Sequence, residues 1–279
     1  MVLAPPFLFV PGHRPPEQPG AEPLLFAFRR RELLVTSSYA VPTAREMEAH
    51  GIQPVRRQYL GRLGERHCFS AELDEALKPP SGLVLRDLHM LFGALDETLH
   101  ALAGRAVQIV EWERTHQFCG ACGERTVATE KDRSRECPDC RIPMYPRLAP
   151  ATIVAVERGD EILLGRSTHF PPGIFSVLAG FVEPGESAEE AVVREVWEET
   201  RIVVDEVRYF GSQPWPFPHS LMLGFTARYA RGEIDTSHDD DVEQAGWFRA
   251  NDMPKMFPGN TSISQWLIQD FIARGRGAG

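Results

Sequence analysis

One stretch decides the fold of this chain: Gly180-Phe-Val-Glu-Pro-Gly-Glu-Ser-Ala-Glu-Glu-Ala-Val-Val-Arg-Glu-Val-Trp-Glu-Glu-Thr-Arg-Ile202. It begins with a glycine-rich turn and continues into a helix whose end carries Arg194, Glu195, Glu198 and Glu199. The three glutamates stand at positions i, i+3 and i+4, so their carboxylates share one helix face. Such a group of hard oxygen ligands suits Mg²⁺ or Mn²⁺, although a merely solvated acidic face has the same composition.

The spacing of this stretch resembles the Nudix box, which belongs to a family of hydrolases that cleave nucleoside diphosphates linked to another group. The matching positions are, in order, Gly180, Glu186, Arg194-Glu195, Glu198-Glu199 and Ile202. One position differs, because the family usually has glycine where this chain has Arg201. A side chain at that position costs about 1 kcal/mol if the backbone leaves the helix with a positive φ.

Length and composition allow one large core or two to three smaller ones, since the chain has 279 residues, 43% of them hydrophobic. The formal net charge of −9 argues against a broad basic surface for nucleic acid. The sequence has no run near the ~20 apolar residues of a membrane span. Its N-terminal apolar run lacks the basic segment of a secretory signal. We therefore expect a cytoplasmic protein that does not associate with membranes.

Four of the five cysteines have the spacing of a zinc site: Cys119, Cys122, Cys137 and Cys140. Two Cys-x₂-Cys pairs of this kind predict a zinc ribbon over residues 112–145, with disulfides as the alternative. Structural Zn²⁺ would supply much of the folding free energy of such a small segment. We interpret the ribbon as a structural strut, the alternatives being a nucleic-acid or protein-contact module. Cys68 is expected to be a small core residue.

The sequence predicts an α+β chain of three domains: a small mixed N-terminal α/β domain (1–111), the zinc ribbon (112–145) and a Nudix α/β/α sandwich (146–279). In the first domain we predict an irregular lead-in over 5–23, a hairpin over 24–35, a strand over 66–73, and helical structure over 83–116 with a break at Gly104. In the third domain we predict strands over 151–157, 161–165, 175–179, 203–210, 221–229 and 246–248, and a helix over 262–273.

A second motif follows the box: Ser212-Gln-Pro-Trp-Pro-Phe-Pro-His-Ser220. Its three prolines exclude a central strand, because proline lacks the amide hydrogen that a sheet requires. We therefore predict a stiff loop that presents Trp215 and Phe217 in fixed positions. The motif closely resembles that of the NudC-type NADH pyrophosphatases, also described as NAD-capped RNA hydrolases. This resemblance extends from the ribbon to the C-terminal helix.

The resemblance implies a pocket in which aromatic side chains stack the rings of a dinucleotide. Tyr145 and Phe181 stand where the family stacks a base. The second motif would line the same pocket with Gln213, Pro214, Trp215, Pro216, Phe217, Pro218, His219 and Ser220. A rough alignment adds three further candidates, each of which can equally be an ordinary surface or helix residue: Arg86, Asp132 and Ser264.

The resemblance also implies a catalytic Mg²⁺ or Mn²⁺ site whose ligands are Glu195, Glu198, Glu199 and the carbonyl of Ala179. Alignment on Trp247-Phe248 makes Asp241 a further ligand, with Glu243 as the alternative. We expect Glu199 to orient or deprotonate the attacking water. We expect Arg194 to orient a box carboxylate through an ion pair.

The predicted function is metal-dependent hydrolysis of the pyrophosphate of NAD(H) to NMN(H) and AMP. Removal of the NAD cap from RNA, which leaves 5′-monophosphate RNA, is the related prediction, and the family resemblance implies a homodimer. One alternative is a Nudix hydrolase for ADP-ribose or dinucleoside polyphosphates. A second alternative is a zinc-ribbon nucleic-acid-binding regulator without activity. Against it, the four basic and four acidic residues between Cys122 and Cys137 balance one another.

Overall fold

The computed structural model describes residues 9–16, 21–238 and 240–276. Its contacts divide the chain into two compact units, Met1–Arg147 and Leu148–Gly279. In the described parts of the chain, no helix is long and apolar enough to cross a membrane.

The described residues of the first unit form two sheets and two α-helices. Its strands are β1 (Phe9–Pro11), β2 (Leu24–Arg29), β3 (Glu32–Thr36), β4 (Arg56–Leu63), β5 (Arg66–Glu72), β6 (Leu83–Asp87), β7 (Val127–Ala128), β8 (Arg135–Glu136) and β9 (Pro143–Met144). Within the described residues, β1 to β6 form one sheet in the order β1-β4-β5-β2-β3-β6, and β7-β8-β9 form the small sheet of the ribbon. Helix α1 (Ala44–Ala49) precedes β4, and α2 (Glu97–Thr115) packs against β2, β4 and β5.

Sequence and structure differ in three places in this unit. The helix predicted from residue 83 begins instead as strand β6, because Leu83 and Leu85 are buried with a period of two and the segment pairs with β3. A 3₁₀ turn (Leu88–Leu91) separates this strand from α2. Gly104 does not break α2, which runs through it and buries it. The lead-in predicted as irregular contains β1, paired with β4, although residues 1–8 and 17–20 lie outside the described residues.

The hairpin β2–β3 and strand β5 confirm the corresponding predictions. Their apolar side chains form the core of the first unit, which includes Leu25, Ala27, Leu34, Phe69 and Ala71. Cys68 is buried in β5, as predicted.

The second unit is a mixed sheet between two helices. Its strands are β10 (Ala149–Arg158), β11 (Glu161–Ser167), β12 (Leu178–Phe181), β13 (Val203–Trp215), β14 (Ser220–Arg231) and β15 (Val242–Arg249). Within the described residues the order is β13-β14-β10-β11-β15, with β12 paired to β10. Helices α3 (Ala188–Thr200) and α4 (Ile263–Arg276) cover opposite faces, since alternate residues of β10 pack with each. This is the predicted α/β/α sandwich.

Two predictions for the second unit need correction. The strand predicted over 175–179 lies later in the chain, because β12 begins at Leu178 and Phe175 and Ser176 form only isolated bridges. The second motif is a loop only over residues 216–219, since its first four residues continue β13 and pair with β14. Strand β13 lies at the edge of the sheet. A proline is tolerated there because its missing amide hydrogen can face away from the neighbouring strand. The prolines therefore exclude a central strand, as predicted, but not an edge strand.

Candidate active site

Helix α3 begins and ends at residues whose conformations are fixed locally. Ser187 accepts a hydrogen bond from the backbone of Glu190, and the Glu190 carboxylate accepts one from the backbone of Ser187. This capping box satisfies two amides that the helix cannot pair itself. Arg201 ends the helix in the left-handed conformation with φ of 60°. The sequence predicted backbone strain at this position. The Arg201 guanidinium partly offsets that strain by stacking 4.1 Å from the centre of the Trp197 ring.

Gly180 leaves the space that Glu195 occupies. Strand β12 pairs Gly180 with Thr152 of β10, so Gly180 turns toward α3 whereas Ala179 and Phe181 face the side of α4. A Cβ atom on Gly180 would lie 1.9 Å from the Glu195 carboxyl carbon. Only glycine at this point lets the carboxylate of Glu195 lie against the strand.

Arg194 holds the acidic side chains of the box together. Its Nη1 atom donates to Glu195 at 2.8 Å and to Glu198 at 2.9 Å, and its Nε atom donates to Glu186 at 2.8 Å. Its Nη2 atom also donates to the carbonyl oxygen of Phe181 at 2.8 Å. Arg194 therefore ties the glycine-rich turn to α3, and it orients box carboxylates through ion pairs as the sequence predicted.

Two of the three glutamates that pair with Arg194 have opposite pKa shifts. Hydrogen bonds from Arg194 and from the backbone of Glu183 lower the pKa of the Glu186 carboxyl to about 2. Burial raises the pKa of Glu195 and outweighs the opposing ion pair with Arg194. Additional positive charge near Glu195 would therefore favour its ionised form.

The box residues fit a divalent cation. Glu195, Glu198 and Glu199 offer hard oxygen ligands from one helix face, and Glu199 is buried, with 7% of its surface exposed. In the described part of the chain, only the four ribbon cysteines bring their ligand atoms into one group, whereas the box carboxylates converge on Arg194. A bound cation would therefore share these carboxylates with Arg194. The assignment of Glu195, Glu198, Glu199 and the Ala179 carbonyl as ligands stays a prediction.

The two candidates for a further acidic ligand differ in their surroundings. Glu243 forms an ion pair with the largely buried Arg166. The side chain of Asp241 is 77% exposed, and its carboxylate lies 4.0 Å from Nδ1 of His169. Glu243 is therefore already paired with an arginine, and the choice of Asp241 over Glu243 as the metal ligand stays a prediction.

The strand register brings the two sequence motifs to the same end of the sheet. Ala151 of β10 pairs with Phe181 on one side and with Met222 of β14 on the other. Met222 in turn pairs with Gln213 of β13, and Trp215 pairs with Ser220. Phe181, which is 56% exposed, and the second motif therefore lie across one end of the sheet.

Side chains of the second motif divide into a partly buried aromatic pair and a buried anchor. The rings of Trp215 and Phe217 meet edge to face with centroids 5.2 Å apart. Gln213 is buried, donates to the carbonyl of Thr261 and accepts from the amide of Ile263, both at 2.8 Å. Gln213 thus fixes the start of α4, a role that sequence reasoning missed because its partners are about fifty positions away.

The remaining candidate residues of the second unit contact mainly other protein groups. Ser220 is buried, and the carbonyl of His219 accepts a hydrogen bond from Ala149 at 3.0 Å. Ser264 shares a hydrogen bond of 2.6 Å with Ser176. Pro214 lies in β13, Pro216 and Pro218 lie in the turn, and the Phe217–Pro218 peptide is cis.

Three predicted substrate residues belong to the first unit. Tyr145 is 57% exposed after β9, and Arg86 is exposed on β6. Asp132 accepts hydrogen bonds from the hydroxyl groups of Thr129 and Ser134 within the ribbon. These contacts explain the position of Asp132 without a ligand, and its substrate contact stays a prediction, as do those of Tyr145 and Arg86.

The ribbon cysteines fit a tetrahedral zinc ion. Their four Sγ atoms lie within 4.8 Å of one another. Amides of Ala121 and Cys140 donate to Cys119 at 3.4 Å and to Cys137 at 3.3 Å, an arrangement that stabilises thiolates. Hydrogen bonds from backbone amides lower the pKa of Cys119 to about 7. This donor set matches structural Zn²⁺ with four sulfur ligands.

Comparison with known proteins agrees with this geometry. Residues 147–267 match the NUDIX domain, residues 114–145 the NADH pyrophosphatase zinc ribbon domain, and residues 22–112 the NADH pyrophosphatase-like rudimentary NUDIX domain. The NAD-capped RNA hydrolase NudC of Deinococcus radiodurans is 44% identical over 269 residues, which cover 95% of this chain and 92% of that protein. The chain belongs to the NudC family. NudC of Pseudomonas fluorescens is 48% identical over 215 residues, 77% of each chain, and NudC of Pseudomonas aeruginosa LESB58 is 48% identical over 212 residues, 75% of this chain and 74% of its own.

Membership of the NudC family confirms the resemblance that the box, the ribbon and the second motif indicated. The NADH pyrophosphatase ribbon match and the converging cysteines together support a structural zinc site. The NUDIX match implies a divalent cation at the box of this NudC-family chain.

Proposed function

We propose that this chain hydrolyses the pyrophosphate of NAD(H) to NMN(H) and AMP, and that it removes the NAD cap from RNA to leave 5′-monophosphate RNA. The observation that carries this proposal is the register that places Phe181 and the Trp215–Phe217 pair at one end of the sheet. Family membership supports the same substrate, because its curated relatives are named NAD-capped RNA hydrolases.

Aromatic side chains bind the rings of the substrate, and the carboxylates act at its pyrophosphate. A dinucleotide consists of two flat rings joined by a pyrophosphate, and exposed Phe181 offers a surface for stacking one ring. Trp215 and Phe217 line the same pocket across the sheet. Tyr145 is the further stacking candidate, and Arg86, Asp132 and Ser264 are weaker candidates for polar contacts.

The box residues orient and deprotonate the attacking water. Water attacks a phosphorus of the bridge, the bond from that phosphorus to the bridging oxygen breaks, and each half leaves as a monophosphate. Buried Glu199 accepts the proton of the water, while Arg194 keeps Glu195 and Glu198 in position. Mg²⁺ or Mn²⁺, when held by these glutamates with Asp241 and the Ala179 carbonyl, would neutralise negative charge on the pyrophosphate and lower the pKa of a bound water.

Replacement of Glu199 by glutamine tests this assignment. We expect NADH hydrolysis to fall by about 100-fold or more, because general base catalysis contributes about 10²–10⁴-fold. Glu189→Gln is the matched control, since Glu189 is exposed in the first turn of the same helix. Circular dichroism and zinc content should be unchanged in both variants. Activity of Glu199→Gln within a few-fold of the wild type would refute the role of Glu199.

A substrate panel separates the proposal from hydrolysis of ADP-ribose or dinucleoside polyphosphates. We expect kcat/KM to be highest for NADH, NAD⁺ or an NAD-capped oligonucleotide, because ADP-ribose lacks the nicotinamide ring. A preference for ADP-ribose would overturn the substrate assignment while leaving the hydrolase assignment intact.

The family resemblance further leads us to propose a cytoplasmic homodimer. Light scattering on the purified protein tests the dimer, and a monomeric mass at micromolar concentration would contradict it. Activity with Mg²⁺ and with Mn²⁺, each added alone to metal-depleted buffer, identifies the preferred cation.

A further inference from the structure

Helix α2 directs three hydrogen-bond donors toward one side. Arg105, Gln108 and Trp112 stand at positions i, i+3 and i+7, which share a helix face. The amide nitrogen of Gln108 and the indole nitrogen of Trp112 are buried and have no hydrogen-bond partner among the described residues. Arg105 is largely buried, and desolvation alone lowers its pKa, without a described carboxylate to offset the burial.

A second arginine approaches this face from the ribbon. Arg133 lies between β7 and β8, and its Nη2 atom donates to the carbonyl of Gly12 just after β1. Its Nη1 atom is buried and lacks a partner in the described chain. Burial, and after it the positive charge of Arg105, lower the pKa of Arg133. The guanidinium of Arg105 also lies 5.3 Å from the centre of the Phe9 ring in β1.

The two acidic residues that are close to Arg133 in sequence are engaged elsewhere. The Asp132 carboxylate accepts hydrogen bonds from Thr129 and Ser134, and its neighbour Glu130 pairs with Arg14 at the surface. Two desolvated guanidinium groups that repel each other are unfavourable unless an anion joins them. The first unit therefore contains a group of buried donors without matching acceptors.

We propose that Arg105, Arg133 and Gln108 form a binding site for a phosphate group, between α2, β1 and the ribbon. All three side chains donate hydrogen bonds, so the ligand must supply acceptors and negative charge. Guanidinium groups match phosphate oxygens with paired hydrogen bonds, and two of them balance a phosphate dianion. The indole nitrogen of Trp112, one turn further along α2, offers one more donor. The site lies wholly in the first unit and does not depend on the proposed function.

Phosphate binding to the full-length, zinc-loaded protein tests the site. Calorimetry and thermal unfolding would be measured with inorganic phosphate at constant ionic strength and without added Mg²⁺ or Mn²⁺. We expect inorganic phosphate to bind the wild type and raise its Tm, and Arg105→Met and Arg133→Met each to weaken binding at least 10-fold. Arg114→Met is the matched control, because Arg114 lies on the same helix but is paired with Glu111. It should bind phosphate like the wild type.

Thermal unfolding measured without phosphate provides a check on folding. Because methionine removes an unpaired buried charge, Arg105→Met and Arg133→Met should then unfold at or above the Tm of the wild type. If methionine prevents folding, Arg105→Gln and Arg133→Gln take its place. Equal phosphate stabilisation of all variants, or none of the wild type, would overturn the proposal.

Competition distinguishes the source of the phosphate group. AMP and a 5′-phosphorylated oligonucleotide would be titrated against inorganic phosphate. If AMP or the oligonucleotide binds more tightly than inorganic phosphate, and Arg105→Met abolishes that binding, the site is assigned to that nucleotide. Equal binding of all three, lost in the same variant, assigns it to the phosphate group alone.

Discussion

Replacing Gly180 by alanine should displace Glu195 without unfolding the protein. The new Cβ atom would lie 1.9 Å from the Glu195 carboxyl carbon. Ordinary contact begins near about 3.5 Å, so the carboxylate must retreat by roughly 1.5 Å. Glu195 can make this movement because its carboxyl group ends a flexible side chain, but it then leaves the position in which Arg194 holds it.

The expected loss of activity follows from that displacement. A misplacement of about 1 Å in an active site can cost about 100-fold in rate, which corresponds to about 2.7 kcal/mol of transition-state stabilisation. We therefore expect kcat/KM of Gly180→Ala for NADH to fall by at least about 100-fold, measured by release of AMP. Thermal unfolding should change little.

Gly211→Ala is the matched control for this substitution. Gly211 also lies in a strand of the second unit, yet a Cβ atom there would meet no atom within 4 Å. Its activity should remain that of the wild type. Activity of Gly180→Ala within five-fold of Gly211→Ala, in about the range of an ordinary surface change, would refute the argument that Gly180 makes room for Glu195.

Three further predictions concern stability and thiol chemistry. Arg201→Gly should leave stability nearly unchanged, because relief of about 1 kcal/mol of backbone strain offsets a cation–π contact with Trp197 worth about 0.5–1 kcal/mol. Arg201→Ala keeps the strain and loses the contact, so urea unfolding should show it to be less stable than Arg201→Gly; equal midpoints would contradict this account. Hydrogen bonds from Arg194 and from the backbone of Glu183 lower the pKa of Glu186 from 4.5 to about 2, so these interactions stabilise the fold fully above pH 4.5 and are lost as the pH falls toward 2. Glu186→Gln should therefore flatten the dependence of unfolding free energy on pH in that range, and an unchanged slope would count against the ion pair. Burial raises the pKa of Cys68 to about 11, so this thiol should resist iodoacetamide at about pH 8 until the protein unfolds. Rapid labelling of Cys68 in the folded, zinc-loaded protein, detected by mass spectrometry, would show the burial to be incorrect.

Local chemistry made the second unit predictable from sequence. The capping residues, apolar period and grouped carboxylates of the box predict a helix, and α3 is found there. The apolar runs of β10 and β11 are likewise buried strands. In the ribbon, cysteine spacing alone was sufficient to predict the site.

Elements that depend on distant partners were harder to predict. Strand β4, with the sequence Arg-Arg-Gln-Tyr-Leu-Gly-Arg-Leu, has no regular alternation and owes its form to pairing with β1 and β5. Helix α1 did carry a local signal, since Thr43 and Glu46 form a capping box. Helical spacing over residues 83–116 concealed β6, whose burial has a period of two. The role of Gln213 could not be seen because its partner Ile263 is fifty positions away.

The parallel pairing of β10 with β14 determines when the site can form during folding. Ala149 pairs with Ser220, so these strands meet only after a long intervening segment has closed. Contacts of such large sequence separation form slowly, whereas a helix such as α3 forms locally. A nascent chain that has completed α3 but not β14 already carries Phe181 and the box carboxylates, yet it lacks the pairing of β13 with β14 that holds Trp215 at the same end of the sheet. Recovery of activity after refolding would therefore report the last long-range step of folding.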